Sequence, residues 1–242
     1  MSFLVGYKPV LEELQKENPG LDRVYLLKTK ANLLPLLELC RQKKVKYKFV
    51  SNLELNKIYS GNHQGIIGRL KTVNFLNLEE LVLKKTPLSL ILALDCIQDP
   101  QNLGSLIRTV VALGGQGIVI PKDRTAFLGP GVEKSSAGAL HQANVSQVVN
   151  LSRALDLLKA SGYTIYASVV KQGQSLFERP LNLPAVLVLG NEQKGIRPNV
   201  LKRAEHLITI PMPGRFESLN VAQAGAICLG EFLRQNLTNI AR

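Results

Sequence analysis

Apolar residues in the second part of the chain come in short, nearly continuous runs, separated by longer stretches with helical spacing. The run Val186-Leu187-Val188-Leu189 is typical, and such runs indicate strands of a parallel sheet that is covered on both faces. Six strands are predicted on this basis, at residues 88–94, 116–120, 145–149, 164–169, 185–189 and 206–210. Four helices are predicted among them, at residues 102–113, 152–161, 198–204 and 220–233. The predicted fold class is therefore α/β with a parallel sheet.

The first part of the chain has shorter apolar runs that alternate with charged residues. Its pattern predicts helices and strands in turn, with helices at residues 12–17, 33–41 and 52–59 and strands at residues 23–27, 44–49 and 65–70. In the second of these strands Lys44, Lys46 and Lys48 alternate with apolar residues at the period of a half-buried strand. The lysines either protect an edge strand against aggregation or form a row that faces phosphates. We expect this unit to be a small α/β sandwich.

A break between the two parts falls near residue 87. A short helix is predicted within residues 77–85, and Thr86 and Pro87 then interrupt it before the apolar run begins. This organisation predicts a first domain over residues 1–75, a linker over residues 76–88 and a catalytic domain over residues 89–242.

The net charge suggests what the first domain binds. The 242 residues contain 30 Lys and Arg against 18 Asp and Glu, which gives a net charge of +12 and a pI near 9.7. Residues 1–88 alone contain 15 basic and 8 acidic residues, so the smaller part is the more densely basic. A pI this high is typical of nucleic-acid-binding proteins, although cationic proteins also bind anionic lipids. We interpret the first domain as a module that docks RNA or DNA.

Cysteine and histidine residues are few and scattered. The three cysteines have no C-x-x-C spacing, which excludes a disulfide framework and a zinc knuckle, and no metal site is expected. No run approaches the roughly 18 apolar residues of a membrane span, and the N-terminus lacks the pattern of a signal peptide. We therefore expect a cytoplasmic protein with no membrane partner.

One polar turn of the first part displays hydrogen-bonding side chains. Asn62, His63 and Gln64 lie between Gly61 and Gly65, which is turn chemistry that exposes polar groups. These side chains either contact a ligand or belong to an ordinary turn, and for His63 alone a structural role is the stronger interpretation.

Three loops that follow predicted strands carry candidate chemistry, because ligands of parallel sheets bind beyond the carboxyl ends of the strands. The first loop contains Asn102 and Gly104, and Arg108 follows on the helix. Gly104 allows close approach of the backbone. The alternative for Asn102 is a helix cap, and the alternative for Arg108 is a surface salt bridge.

The second loop, residues 190–195, has the form G-x-x-x-x-G after a strand. A P-loop requires Lys and Ser or Thr after the second glycine, but Ile196 and Arg197 stand there. No strand is followed by G-x-G-x-x-G either. The loop with its one carboxylate, Glu192, therefore suits a ligand other than a polyphosphate.

The third loop, residues 210–220, leads into the last helix. Pro211, Pro213 and Gly214 make it irregular, and Ser218 or Asn220 caps the helix that follows. Capping explains one of these two residues but not both.

Together the three loops resemble a known set of motifs, N-x-G with a following arginine, G-N-E-x-x-G, and I-P-M followed by S-L-N-V. On these motifs, residues 89–242 are identified as a member of the SpoU (SPOUT-class, TrmH-like) RNA ribose 2′-O-methyltransferases. The first unit resembles the substrate-binding domain of this family, which is similar to ribosomal protein L30e. The chain is most similar to the branch that methylates a guanosine in bacterial 23S rRNA. A tRNA ribose methyltransferase and a non-catalytic RNA-binding assembly factor remain alternatives.

The resemblance implies S-adenosylmethionine as cofactor, a deep trefoil knot, an RNA substrate and a homodimer with the site at the subunit interface. The implied catalytic residues are Asn102, Arg108, Glu192, Ser218 and Asn220. The implied cofactor-binding residues are Gly190, Asn191, Glu192, Gly195, Ile210, Met212, Ser218 and Leu219. RNA contacts are expected from Arg108, Lys44, Lys46, Lys48, Asn62, His63 and Gln64. Arg108 acts either as general base or as an electrostatic stabiliser, and we favour the second because a guanidinium keeps its proton.

Overall fold

The chain folds into two compact units, residues 1–73 and 74–242. A computed structural model describes residues 3–17, 19–70, 73, 75–215 and 218–240, without the side chains of residues 238–240. Phe216 and Glu217 of the third loop therefore lie outside the described residues.

The first unit is a four-stranded sheet with helices on both faces. Its elements are β1 (Phe3–Val5), α1 (Tyr7–Gln15), β2 (Leu21–Leu27), α2 (Leu34–Gln42), β3 (Lys46–Val50), α3 (Asn52–Ile58) and β4 (Ile66–Leu70). The strand order is β1-β4-β2-β3, in which β2 and β3 are parallel and the other pairs are antiparallel. This agrees with the expected α/β sandwich, although β1 was not predicted, because three residues are too few to show a period.

Two clusters of buried side chains hold the first unit together, one on each face of the sheet. Val10 of α1 and Leu36 of α2 belong to the larger cluster, and Leu55 of α3 belongs to the smaller one. Ser51 and Glu54 form a capping box, which sets where α3 begins. β3 is an edge strand, so its lysines have room to point into solvent.

The second unit contains an eight-stranded sheet in which every pairing between the described strands is parallel. Its strands are β5 (Phe75–Leu76), β6 (Leu88–Asp95), β7 (Gly115–Pro121), β8 (Val145–Val148), β9 (Thr164–Ser168), β10 (Gln174–Ser175), β11 (Ala185–Gly190) and β12 (His206–Thr209). Their order is β10-β12-β9-β11-β6-β7-β8-β5. The predicted parallel α/β fold is confirmed, and each of the six predicted strands is present.

Helices cover both faces of this sheet. They are α4 (Leu78–Val82), α5 (Pro100–Ala112), α6 (Pro130–Ser135), α7 (Leu151–Ala160), α8 (Pro198–Leu201) and α9 (Val221–Ile240), with a 3-10 turn at Ala139–His141. Leu155 of α7 and Val200 of α8 pack with alternate residues of the strands, such as Val188. Leu189 belongs to the other face, where it lies close to Gly225 of α9.

The segment predicted as a linker is part of the second unit. β5 pairs with β8 at the edge of the sheet, and Leu78 and Leu81 of α4 are buried in the same cluster as Leu155. Gln116 of β7 donates hydrogen bonds to the carbonyl oxygens of Leu81 and Val82, both at 3.0 Å. Residues 75–82 are therefore a strand and a helix held by the sheet, and the break after them is a turn within one unit.

Candidate functional site

A cleft of about 310 Å³ opens at the carboxyl ends of β9, β11 and β12, beside the start of α9. Its walls include all eight residues that the sequence motifs single out for the cofactor. These are Gly190, Asn191, Glu192, Gly195, Ile210, Met212, Ser218 and Leu219. The chain thus brings its second and third motif loops together on one cavity.

Asn191 determines the shape of the second loop. Its backbone exchanges two hydrogen bonds with Gly195, at 3.0 and 2.9 Å, and its side-chain oxygen accepts from the backbone N–H groups of Gln193 and Lys194, both at 3.1 Å. Its side-chain amide donates to the carbonyl oxygen of Cys96 at 2.9 Å. These contacts close the loop on itself and fasten it to the end of β6.

The two glycines of the loop are required for different reasons. A Cβ on Gly190 would lie 2.3 Å from the carbonyl carbon of Gly195, so only glycine lets the loop close. Gly195 has a φ of +67°, and a Cβ there would meet open space. A side chain at residue 195 is therefore disfavoured by backbone strain.

Three of the predicted catalytic side chains form one hydrogen-bonded chain. Asn220 donates from Nδ2 to Oδ1 of Asn102 at 2.9 Å. Asn102, which is 7% exposed, donates from Nδ2 to Oε1 of Glu192 at 3.1 Å. One residue from each motif loop therefore takes part.

Asp99, and not Asn102, caps α5. The Asp99 side chain accepts from the backbone N–H of Gln101 at 2.9 Å, and the helix begins at Pro100. The capping alternative for Asn102 is therefore wrong, because this residue lies inside the first turn with its side chain turned toward Glu192.

Asn220 caps α9 through Oδ1, which accepts from the backbone N–H of Ala222 at 2.8 Å. Ser218 is exposed on the wall of the cleft and does not cap this helix within the described residues. Of the two residues that could cap α9, Asn220 is therefore the cap, and Ser218 lines the cleft.

Arg108 is not part of the hydrogen-bonded chain formed by Asn102, Glu192 and Asn220. It is exposed on α5, and it makes no hydrogen bond or ion pair with the part of the chain that the structure describes. Six residues of helix place it about 9 Å along the axis from Asn102 and about 120° around it. The surface salt bridge considered for Arg108 is therefore not formed among the described residues.

An ion pair that the sequence analysis missed supports the same loops. Asp95 at the end of β6 is fully buried and accepts hydrogen bonds from the backbone N–H of Arg197 at 2.8 Å and from its Nε at 2.7 Å. The hydrogen bond to Asp95 raises the pKa of Arg197. Asp95 is the only charged residue of the apolar strand β6, and this is the sequence signal that could have identified it.

The residues expected to contact RNA in the first unit are in different environments. Lys44 precedes β3, and Lys46 and Lys48 lie on it, all three exposed. Asn62 and Gln64 are also exposed.

His63 is buried, unlike its neighbours in the turn. Its Nδ1 accepts from the backbone N–H of Gly65 at 3.0 Å, and its Nε2 lies 3.0 Å from Oδ1 of Asn56. With both ring nitrogens engaged inside the unit, His63 holds the turn and is not displayed on the surface.

Neither a membrane-spanning helix nor a metal-binding cluster is found among the described residues. No helix described is both long and apolar enough to cross a bilayer. The described His, Cys, Asp and Glu side chains form no group of three or more that is suited to a metal ion.

Comparison with known protein families identifies both units. Residues 89–230 match the model of the SpoU rRNA Methylase family. Residues 3–76 match the model described as RNA 2′-O ribose methyltransferase substrate binding. The two matches together cover most of the chain.

Individual relatives agree with the family models. A tRNA/rRNA methyltransferase of Synechocystis sp., itself uncharacterized, is 42% identical over 77% of this chain, which spans half of that protein's length. The 23S rRNA (guanosine-2′-O-)-methyltransferase RlmB of Vibrio vulnificus is 33% identical over 98% of both chains. The AdoMet-bound rRNA methyltransferase of Sinorhizobium meliloti has the same fold, with a TM-score of 0.67 at 23% identity over 96% of this chain and 86% of that one. The chain belongs to the SpoU rRNA methylase family.

Proposed function

We propose that this protein transfers a methyl group from S-adenosylmethionine to a ribose 2′-hydroxyl of RNA, with a guanosine of 23S rRNA as the substrate. The observation that carries the proposal is the cleft lined by the second and third motif loops, with Asn102 of the first motif loop hydrogen-bonded to Glu192 of the second and Asn220 of the third. Membership of the family and the 33% identity to RlmB of Vibrio vulnificus support the substrate.

The cleft fits the cofactor in size and in chemistry. Its volume of about 310 Å³ is within the range of roughly 300–1,000 Å³ of small-molecule sites. Leu189, Ile196 and Leu219 offer apolar walls for a flat ring. The backbone of Ile210 makes no hydrogen bond with any other described residue, so its polar groups are free to bind the edge of a base.

When bound, S-adenosylmethionine supplies an electrophilic methyl group on a sulfonium sulfur. The chain has to hold the ribose oxygen in line with that methyl group, and such positioning is worth about 7–11 kcal/mol of the barrier. Glu192 orients Asn102, and Asn102 orients Asn220. Ser218, which lines the cleft, and Asn220, which caps the helix that begins beside it, hydrogen-bond the nucleotide in this proposal.

Arg108 stabilises the negative charge that develops on the ribose oxygen as its proton passes to solvent water. A preorganised cation is suited to this task. A guanidinium keeps its proton at neutral pH, so Arg108 has no free site to accept the proton as a base. Arg108 is exposed and does not line the cleft of its own chain. We therefore include the homodimer in the proposal, with the site at the subunit interface. The proposal also includes a trefoil knot in the second unit and a cytoplasmic location of the protein.

A methyl-transfer assay tests this function. The purified protein is incubated with S-adenosylmethionine carrying a labelled methyl group and with unmodified transcripts of 23S rRNA and of tRNA. The expected result is one 2′-O-methylguanosine in 23S rRNA, located by mapping of 2′-O-methyl positions. Methylation of tRNA alone would support the tRNA branch. Binding of S-adenosylmethionine in calorimetry without transfer to either RNA would indicate a non-catalytic factor.

A further inference from the structure

An exposed phenylalanine stands beside the candidate site. Phe127 lies in the loop between β7 and α6 and is 79% exposed. At this exposure the ring gains little from the hydrophobic effect in the free protein. Its position at the carboxyl end of β7 places it on the ligand-binding edge of the sheet.

The ring of Phe127 is held in place from one side. A Cβ on Gly129 would lie 2.5 Å from Cε1 and 2.6 Å from Cδ1 of Phe127, so the ring occupies the space that a side chain at residue 129 would fill. The backbone N–H of Gly129 also donates to the carbonyl oxygen of Phe127 at 2.8 Å. One edge of the ring thus lies beside Gly129, and most of the ring is exposed.

The loop is fastened to the segment that carries Asn102. The backbone N–H of Ala126 donates to the carbonyl oxygen of Ile97 at 2.8 Å. The hydroxyl of Ser135, on the helix after the loop, donates to the carbonyl oxygen of Pro100 at 2.8 Å. The chain on both sides of Phe127 is therefore hydrogen-bonded to the segment just before Asn102.

The charges around Phe127 favour RNA over a protein surface. Lys122, Arg124 and Lys134 are exposed, against two carboxylates in the same stretch, the exposed Asp123 and the half-buried Glu133, whose Oε1 lies 3.0 Å from Nε2 of His141. None of the three cations forms a salt bridge with another described residue. An aromatic ring next to unpaired cations is the combination that binds single-stranded nucleic acid, by stacking on a base and by attracting its phosphates.

We propose that Phe127 stacks against an unpaired base of the RNA, at a nucleotide close to the one whose ribose is methylated. This inference rests on the proposed function, because it takes RNA as the substrate. It narrows the substrate class to RNA with a base turned out of its stack near the target, such as a loop or a bulge.

Substitutions at Phe127 separate stacking from simple apolar contact. Phe127→Ala removes the ring, Phe127→Leu keeps an apolar side chain without a π-face, and Phe127→Trp keeps a stacking surface. KM and kcat for methylation of a 23S rRNA transcript are measured, together with the affinity for the same transcript by filter binding. We expect the alanine and leucine variants to raise KM and Kd at least about fivefold, and the tryptophan variant to match the wild type. The kcat should stay within about twofold, because the contact is equal in ground and transition states.

Phe177→Ala is the matched control, since Phe177 is a second exposed phenylalanine of the same unit, 51% exposed. It should leave KM and Kd unchanged. Wild-type affinity in the leucine variant would overturn the stacking inference, as would wild-type affinity in the alanine variant. A change of oligomeric state in Phe127→Ala with unchanged RNA affinity would assign the ring to a protein contact. If the wild type binds the transcript without methylating it, the proposed function fails, while the affinities still test the stacking.

Discussion

Asn220 performs two separable tasks with one side chain. Its oxygen caps α9, and its amide nitrogen donates to Asn102. An amide does both, whereas a carboxylate of the same shape accepts but cannot donate. Asparagine at this position thus makes both a local contact, the cap of α9, and a long-range contact, the hydrogen bond to Asn102.

The variants Asn220→Asp and Asn220→Ala should separate the effect of the helix cap from the effect of the hydrogen bond to Asn102. The aspartate keeps the cap, so the free energy of unfolding should change little, but methylation should fall because Asn102 loses its donor. The alanine loses both, and its unfolding free energy should fall by about 1 kcal/mol. Chemical denaturation and the methyl-transfer assay are the measurements. Full activity in the aspartate variant would show that the donation to Asn102 is dispensable.

Arg108→Ala should abolish methylation while leaving the affinity for RNA within a few-fold. Loss of one preorganised charge stabiliser typically lowers turnover about 10²–10³-fold. Arg153→Ala is the control, because Arg153 is an exposed arginine on α7, a different helix of the same unit. Retained turnover in Arg108→Ala would remove this residue from the mechanism.

His206 makes the stability depend on pH. Burial, together with the charge of Arg179, lowers the pKa of His206, and Glu205 only partly opposes this. As the pH falls, the imidazole of His206 is therefore protonated in the unfolded chain before it is protonated in the folded protein. The free energy of unfolding should decrease as the pH falls below about 6.5. His206→Gln should show a weaker decrease between neutral and mildly acidic pH, and identical pH profiles in denaturation experiments would contradict this role.

At the scale of elements, the position of α9 depends on Gly225. A Cβ there would lie 2.4 Å from Cδ2 of Leu106 on α5 and 2.8 Å from Cδ1 of Leu189 on β11. Both leucines are buried and have little room to move. The absence of a side chain at residue 225 thus sets how closely α9, which carries Asn220 at its start, packs on α5 and the sheet.

Two glycine-to-alanine variants on this helix should have opposite effects. Gly225→Ala should lower the free energy of unfolding by about 1–3 kcal/mol through overpacking. Gly230→Ala should raise it by up to about 1 kcal/mol, because alanine favours the helix and no atom lies within 4 Å of the added Cβ. Denaturant titration of both variants tests this, and equal effects would show that Gly225 is not at a tight contact.

Element prediction succeeded where the pattern was long. β6 and β11 are buried on both faces, so an unbroken apolar run marks them without reference to the rest of the fold. β5 and β10 have two residues each, which is too short for any period. α8 ends at Leu201, earlier than predicted, because the chain must turn there to enter β12.

At the scale of the whole molecule, the first unit should supply salt-dependent RNA affinity. Its boundary at residue 73 means that a deletion must spare β5. Removing residues 1–73 should weaken RNA binding and flatten the dependence of log Kd on log salt concentration, because each lost phosphate contact removes roughly 0.7–0.9 from the slope. Binding titrations at several salt concentrations are the measurement.

A milder variant controls for the loss of a whole unit. Lys46→Gln combined with Lys48→Gln leaves the fold of the first unit intact, because both lysines are exposed on an edge strand. If these lysines face phosphates, the slope should fall by about two. If the salt dependence is unchanged both in the deletion and in the double lysine variant, the lysines do not contact RNA phosphates and their role is to protect the edge strand against aggregation.

The sequence by itself determined the strands and helices of the second unit other than β5, β10 and α6, together with the two-part organisation and the family. Periodicity and motifs reside in neighbouring residues, so they are visible before folding. The structure alone decided which side chains meet. Asn220 and Asn102 are 118 positions apart, and Arg197 and Asp95 are 102 apart. Such contacts depend on the strand order that sets β11 beside β6, and on packing between helices, which no local pattern contains.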